Sequence, residues 1–155
     1  MATHLKPGDP APDFSGQTTE GQPVSLGAFR GRKLVLYFYP MDDTPGCTKQ
    51  ACSLRDANAA IAAAGAAILG VSAQGLESHQ RFTSKYALNF PLLADTDQRV
   101  AKAYGAAGSG VGGLFRRLLK ADERVTFIID EGGIIRHVID DPNCADHGAE
   151  VLRLL

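Results

Sequence analysis

The sequence predicts an α/β fold: a mainly parallel central sheet with helices on both faces and an antiparallel C-terminal hairpin. Three observations predict it. Apolar, β-prone runs at 33–39, 67–72 and 124–129 have the pattern of strands buried on both faces. Stretches with helical spacing fall between such runs. The resulting order, β-α-β-α-β-α-β-β-α, alternates as a parallel sheet requires, and its last two strands are joined by a short turn.

Residues 1–23 are rich in Pro, Gly, Asp and Thr, with Pro7, Pro10 and Pro12 close together, and read as loop with at most short edge strands. The first buried strand spans 33–39. A Pro/Asp/Thr/Pro/Gly turn follows, and a helix runs from Thr44 to about Ala64. Thr44 suits the N-cap, Pro45 the first helical position, and Gly65 the stop. A second buried strand covers 67–72. Leu76, Phe82 and Tyr86 recur at roughly helical spacing, which predicts a helix over 76–87. A short strand at 90–93 and a short helix at 97–104 come next. Residues 124–129 form the third clear strand, Asp130-Glu-Gly-Gly133 turns the chain, and 134–139 returns as a hairpin partner. Residues 149–155 close the chain as a helix. This order is compatible with a thioredoxin-like α/β sandwich, and with no repeat or linker in view, residues 1–155 read as one domain.

Composition narrows the function. The 155 residues are one domain's worth, 45% apolar and 21% charged, as in an ordinary soluble globule. A net charge of −1 gives no reason to expect nucleic acid or an anionic membrane as partner. No apolar run approaches the ~20 residues of a membrane span, and the first ten residues lack the apolar core of a signal peptide, so a cytosolic protein is expected. Three cysteines, an odd number, do not make a structural disulfide framework; they point to catalysis, metal binding or neither.

Cys47 falls in the first turn of the helix that follows the first strand. Helix N-termini are electropositive and favour a thiolate. An ordinary thiol is about 3% ionised at pH 7, so full ionisation gains at most ~30-fold, too little for an efficient enzyme. Charge developing on the reacting partner needs stabilising too. Thr44, three residues earlier, is close enough to place its hydroxyl by the sulfur, and Arg124 opens a buried strand whose end can reach the start of the helix. Cys52 lies five residues after Cys47. Five helical residues span about 7.5 Å of rise and about 140° of rotation. A disulfide needs Cα atoms within about 7 Å and converging side chains. If these two cysteines pair, the first turn must unwind.

The segment Pro40-x-x-x-Thr44-x-x-Cys47 matches the active-site signature of the peroxiredoxins, and Cys47-Thr-Lys-Gln-Ala-Cys52-Ser-Leu-Arg-Asp is similar to their Q-type (bacterioferritin comigratory protein) subgroup. Ala11-Pro-Asp-Phe14, Pro91-Leu-Leu-Ala-Asp95, Val100-Ala-Lys-Ala-Tyr-Gly105 and Arg124-Val-Thr-Phe-Ile-Ile-Asp130 extend the resemblance over nearly the whole chain. The resemblance implies a thiol peroxidase of thioredoxin-like fold, without cofactor or metal, that reduces hydrogen peroxide and organic hydroperoxides. Cys47 would be oxidised to a sulfenic acid. Cys52 would resolve it to an intrachain disulfide. Thr44 would hydrogen-bond the thiolate and the peroxide, Arg124 would hold the thiolate and polarise the O–O bond, and Pro40 would cover the sulfur from water. Thioredoxin or a similar dithiol protein would reduce the disulfide. Both cysteines lie on one chain, so a monomer suffices. Two rivals stay open: a thiol–disulfide oxidoreductase on the same fold, although four residues rather than two separate the cysteines, and a peroxide sensor that relays the same sulfenic acid.

Other features read more plainly. Cys144 is a bystander, its sharper alternative being a back-up resolving thiol. A plant-type iron–sulfur site would need a third cysteine where Arg55 stands. Gly108-Ser-Gly-Val-Gly-Gly113 satisfies G-x-G-x-x-G, but a helix rather than a strand precedes it, so it reads as a loop. The glycine-rich, then basic stretch 105–122 matches no motif of the family, and 115–120 reads as a solvated helical turn. The histidines (His4, His79, His137, His147) are scattered. His79, with charged neighbours on a helix, reads as a surface residue, and no histidine pairs with Cys47 by sequence logic. Arg55 and Asp56 form either a surface pair or a support for the active-site helix.

Overall fold

The polar, proline-rich N-terminal stretch supports only a short antiparallel hairpin, β1 (Ser15–Gln17) with β2 (Pro23–Ser25), followed by one 3-10 turn at Leu26–Phe29. The chain then enters β3 (Lys33–Phe38), which is buried from Leu34 onward. A strand with no polar face belongs at the middle of a covered sheet. It occupies that place in the computed structural model of the chain, which describes residues 3–107 and 121–155.

Helix α1 (Pro45–Ala63) follows, with extended Thr44 before it, Pro45 in its first turn and Gly65 at φ +83° just beyond it. Its buried positions, Cys47, Gln50, Ala51, Leu54 and Ile61, recur at steps of three, four and seven and make one stripe. Then come β4 (Ala66–Ser72), α2 (Leu76–Tyr86), β5 (Leu92–Ala94), α3 (Arg99–Ala103), β6 (Val125–Ile129), β7 (Ile135–Ile139) and, after a 3-10 turn at Cys144–Asp146, α4 (His147–Leu152). The motifs expected at 108–113 and 115–120 lie outside the described residues.

The sheet order is β5-β4-β3-β6-β7. The strands β3, β4 and β5 are parallel, whereas β6 runs antiparallel to β3 and β7 antiparallel to β6. The antiparallel part is the final hairpin, as the sequence suggested; it joins the parallel strands through β6, which lies beside β3, so the sheet is mixed. The register pairs Phe38 with Val125 and Leu34 with Ile129, so β6 starts where β3 ends. A parallel β6 would start at the opposite end of the sheet, far from α1.

Strict alternation along β3 splits the core. Val35, Tyr37 and Tyr39 face Ala51, Leu54 and Ile61 of α1, with Phe82 of α2 and Val151 of α4. Leu34, Leu36 and Phe38 face Phe14, Val100 and Tyr104. Tyr104 also donates its hydroxyl to the Pro12 carbonyl at 2.6 Å, tying down the N-terminal stretch.

One carboxyl is buried in an unusual state. Asp122 is fully buried; Gln98 Nε2 donates to its Oδ1 at 2.9 Å, and its Oδ2 has no protein partner. Burial pushes this acid up to about 8, against the Gln98 bond and with help from Asp95. An unfolded aspartate titrates near 3.9. Between those values the folded chain holds a proton that the unfolded chain has released, so stability falls as pH rises through the window. The slope is at most about 1.4 kcal/mol per pH unit. Urea unfolding should therefore show a loss of roughly 1 kcal/mol per unit from about pH 5 to 7, and Asp122→Asn, which keeps a neutral group of the same shape, should flatten it. Parallel pH profiles for the two proteins would refute this.

Candidate active site

The end of β3 and the start of α1 define the site. Cys47 is the third residue of α1 and only 2% exposed. The first-turn N–H groups of a helix lack intrahelical acceptors and favour negative charge nearby. Arg124 arrives from the other side, immediately before β6. Its Nη2 lies 3.3 Å from Cys47 Sγ, and its Nη1 donates to Gln50 Oε1 at 2.7 Å. Gln50 is fully buried one helical turn beyond Cys47, so one helix presents both the sulfur and the acceptor that aims the guanidinium. The fit is close: a Cβ on Gly46 would stand 3.2 Å from Arg124 Nη2. That explains the Pro-Gly before Cys47 better than turn formation alone.

Thr44 stands at the N-cap of α1, as the sequence suggested, but its hydroxyl is turned elsewhere. Its hydroxyl donates to the Met41 carbonyl at 2.9 Å and makes neither a cap bond nor a bond to the sulfur. Pro40 is half-buried at the head of the loop, and its carbonyl lies 3.5 Å from Gln74 Nε2.

The loop is held by a buried network centred on Asp42. Its Oδ1 accepts from Tyr39 Oη at 2.6 Å, and its Oδ2 accepts from Ser78 Oγ at 2.8 Å and meets His79 Nδ1 at 2.7 Å. Asp42 N–H donates to Gln74 Oε1 at 2.9 Å. His79 is therefore not a surface residue. It is fully buried, with Nε2 3.0 Å from the Leu93 carbonyl. Its charged helical neighbours face solvent while the imidazole turns inward to a partner 37 residues away. Asp43, at φ +58°, accepts from Lys85 Nζ at 2.8 Å and Tyr86 Oη at 2.7 Å.

A second buried histidine stands behind Arg124. Thr126 Oγ1 and His147 Nε2 are 2.9 Å apart, and His147 Nδ1 is 2.7 Å from Glu150 Oε1. Burial holds His147 below its ordinary pKa, opposed by Glu150 and reinforced by Arg124. The neutral ring then donates from Nδ1 to Glu150 and accepts at Nε2 from Thr126. Gln50 was within reach of the sequence, as a polar residue one turn from Cys47. Asp42, His79 and His147 had no local signal.

All three cysteines are free thiols. Cys52 is half-buried on intact α1 and faces away from Cys47, as helical rotation requires. Cys144 is half-buried 3.9 Å from the Pro142 carbonyl; burial raises its pKa, against Arg124. Arg55 does both things foreseen for it. It pairs with Asp56 at 2.9 Å on the surface and donates to the Tyr86 carbonyl at 2.6 Å, joining α1 to the end of α2.

Residues 7–138 match the AhpC/TSA family. The chain is 40% identical over 151 residues to peroxiredoxin Bcp of Escherichia coli (strain K12), covering 97% of this chain and 96% of that one. It is 40% identical over 149 residues to the chloroplastic peroxiredoxin Q of Sedum lineare, covering 96% of this chain and 76% of that one. Among solved structures, peroxidoxin BcpB of Mycobacterium tuberculosis superposes with a TM-score of 0.84 at 31% identity, over 97% of this chain and 96% of that one. The bacterioferritin comigratory protein of Xanthomonas campestris, a structure concerned with alkyl peroxide reduction, gives 0.81 at 30% identity, over 91% and 88%.

Arg124 places a guanidinium nitrogen 3.3 Å from the Cys47 sulfur. Arg124→Gln should slow alkylation of Cys47 by iodoacetamide at pH 7 by about tenfold, the lower end of what one charge-assisted hydrogen bond contributes. Peptide mapping by mass spectrometry separates Cys47 from Cys52 and Cys144. Equal rates would remove the guanidinium from thiol activation.

Proposed function

Because the chain belongs to the AhpC/TSA family, with peroxiredoxins among its relatives, we propose that it is a thiol-dependent peroxidase acting on hydrogen peroxide and organic hydroperoxides. The observation that carries this reading is the Arg124 guanidinium 3.3 Å from a buried cysteine sulfur in the first turn of a helix. That arrangement stabilises a thiolate and sets a positive charge where negative charge develops on a peroxide oxygen.

The cycle runs in three steps. The Cys47 thiolate attacks one peroxide oxygen, the O–O bond breaks, and the sulfur becomes a sulfenic acid; the other oxygen leaves and takes up a proton as water or alcohol. Cys52 sulfur then attacks the sulfenic sulfur, an S–S bond replaces the S–O bond, and water leaves. Thioredoxin or a similar dithiol protein reduces the disulfide by exchange, its own thiols being oxidised. Arg124 holds the thiolate and polarises the O–O bond, and Pro40 shields the sulfur. Thr44 binds the peroxide once its hydroxyl rotates from the Met41 carbonyl. Cys144 stays outside the cycle. Residues 1–155 act as one domain, and a monomer closes the cycle because both thiols are on one chain. No described helix is long and apolar enough to cross a membrane. The cycle suits a reducing compartment such as the cytoplasm, where a dithiol reductant returns Cys47 and Cys52 to thiols.

Stopped-flow oxidation and intact mass test the assignment. Cys47→Ser should abolish peroxide reduction. Cys52→Ser should keep single-turnover oxidation but fail to recycle with thioredoxin, and should accumulate sulfenic or sulfinic acid. Arg124→Ala should slow oxidation by about 100-fold, beyond the thiolate effect alone. A wild type that oxidises once and then turns over poorly with thioredoxin would favour a sensor instead.

A further inference from the structure

Alternation along β3 places Tyr37 on the face covered by α1, in the same packed cluster as Cys47, Ala51 and Leu54. Its ring occupies space left by a missing side chain: a Cβ on Gly70, its partner in β4, would stand 2.9 Å from Tyr37 Cε1. The ring stacks on Tyr39 at 5.4 Å and meets Phe90 edge-on at 6.0 Å, so it is fixed on both sides. Yet its hydroxyl is fully buried and has no hydrogen-bond partner among the described residues. The phenol lies within electrostatic reach of Cys47, Asp42, Arg124 and Cys52. Gln50 repeats the pattern. Its Oε1 is engaged by Arg124, while its buried Nε2 has no partner. Two unpaired buried donors therefore lie at the same end of α1, on or beneath the turns that run from Cys47 to Cys52.

Buried polar groups are nearly always hydrogen-bonded, and an unpaired one raises the energy of the state that buries it. Here that state is the closed helix, the form in which Cys47 and Cys52 cannot bond. Unwinding the first turns frees both donors to find acceptors. We propose that Tyr37 is a positioning residue for the resolving step: its unpaired hydroxyl destabilises the closed helix and primes α1 to unwind for disulfide closure. This rests on the two-cysteine cycle above. The step it promotes joins Cys47–S–OH and Cys52–S–H into a disulfide with release of water; the Cys47 sulfur is reduced, the Cys52 sulfur is oxidised, and no outside oxidant is needed.

Tyr37→Phe removes the hydroxyl and keeps the ring. Rapid quench after one equivalent of hydrogen peroxide, followed by mass spectrometry, separates sulfenic acid formation from disulfide closure. Sulfenic acid should form at the wild-type rate. Closure should slow about five- to tenfold, the scale of a single unsatisfied hydrogen bond. More sulfinic acid should accumulate under excess peroxide, and the reduced variant should unfold at higher urea with slower amide exchange across 44–55. Unchanged closure would overturn the proposal, as would a less stable reduced variant, which would mean that the hydroxyl is paired in solution. A wild type that forms no Cys47–Cys52 crosslink would instead overturn the cycle itself, a result distinct from equal closure rates in the two proteins.

Discussion

Cys47 is only 2% exposed, and a charge buried there would need an opposite charge beside it, because burying a lone charge is far costlier than burying a paired one. Arg124 supplies that charge at 3.3 Å, and several features serve the pairing. The antiparallel entry of β6 delivers Arg124 to the end of the sheet where α1 begins. Gln50 turns the guanidinium toward the sulfur, and the glycine at 46 leaves room for it. His147, close behind, is kept neutral by burial, so no second cation competes with Arg124 for the sulfur.

The same helix has to be rigid for one step and loose for another. Its far portion is well anchored. Leu54 and Ile61 are fully buried, Ser53 Oγ accepts from Gly148 N–H at 2.8 Å, Arg55 reaches the Tyr86 carbonyl, and Asn58 Nδ2 donates to the Asn89 carbonyl at 3.0 Å. Apart from the Arg124 bond to Gln50 and the burial of Ala51, these anchors begin at Ser53. Ahead of them lie the turns that carry Cys47 and Cys52, with unpaired donors on Gln50 and Tyr37. In the proposed cycle, opening would be limited to the end of α1 that carries Cys47 and Cys52.

Much of this was legible in the sequence, for reasons that can be named. The buried strands stood out because each is apolar on both faces, and α1 because Thr44, Pro45 and Gly65 mark its ends. Cys47 and Arg124 were identifiable from their places at element boundaries and from a specific motif. What local pattern does not encode is direction and distance. The strand at 125–129 looks the same whether it runs parallel or antiparallel to β3; only the path of the chain before it decides. His79 sits among charged neighbours and gave the signal of a solvated helix, yet it is buried against Asp42 across 37 positions. The hydroxyl of Thr44 turned to a backbone carbonyl, a local alternative that side chains of this type commonly take.

The Asp42 and Asp43 bonds that hold the loop between β3 and α1 owe nothing to the helix it precedes. Asp42 is bonded to Tyr39, Gln74, Ser78 and His79, and Asp43 to Lys85 and Tyr86. None of these partners lies on α1, so fraying of the helix breaks none of those bonds. In the proposed cycle, Asp42 and Asp43 just upstream of Cys47 would keep their partners and serve as a fixed template on which the coil rewinds. Recovery of the starting geometry would then be a local event.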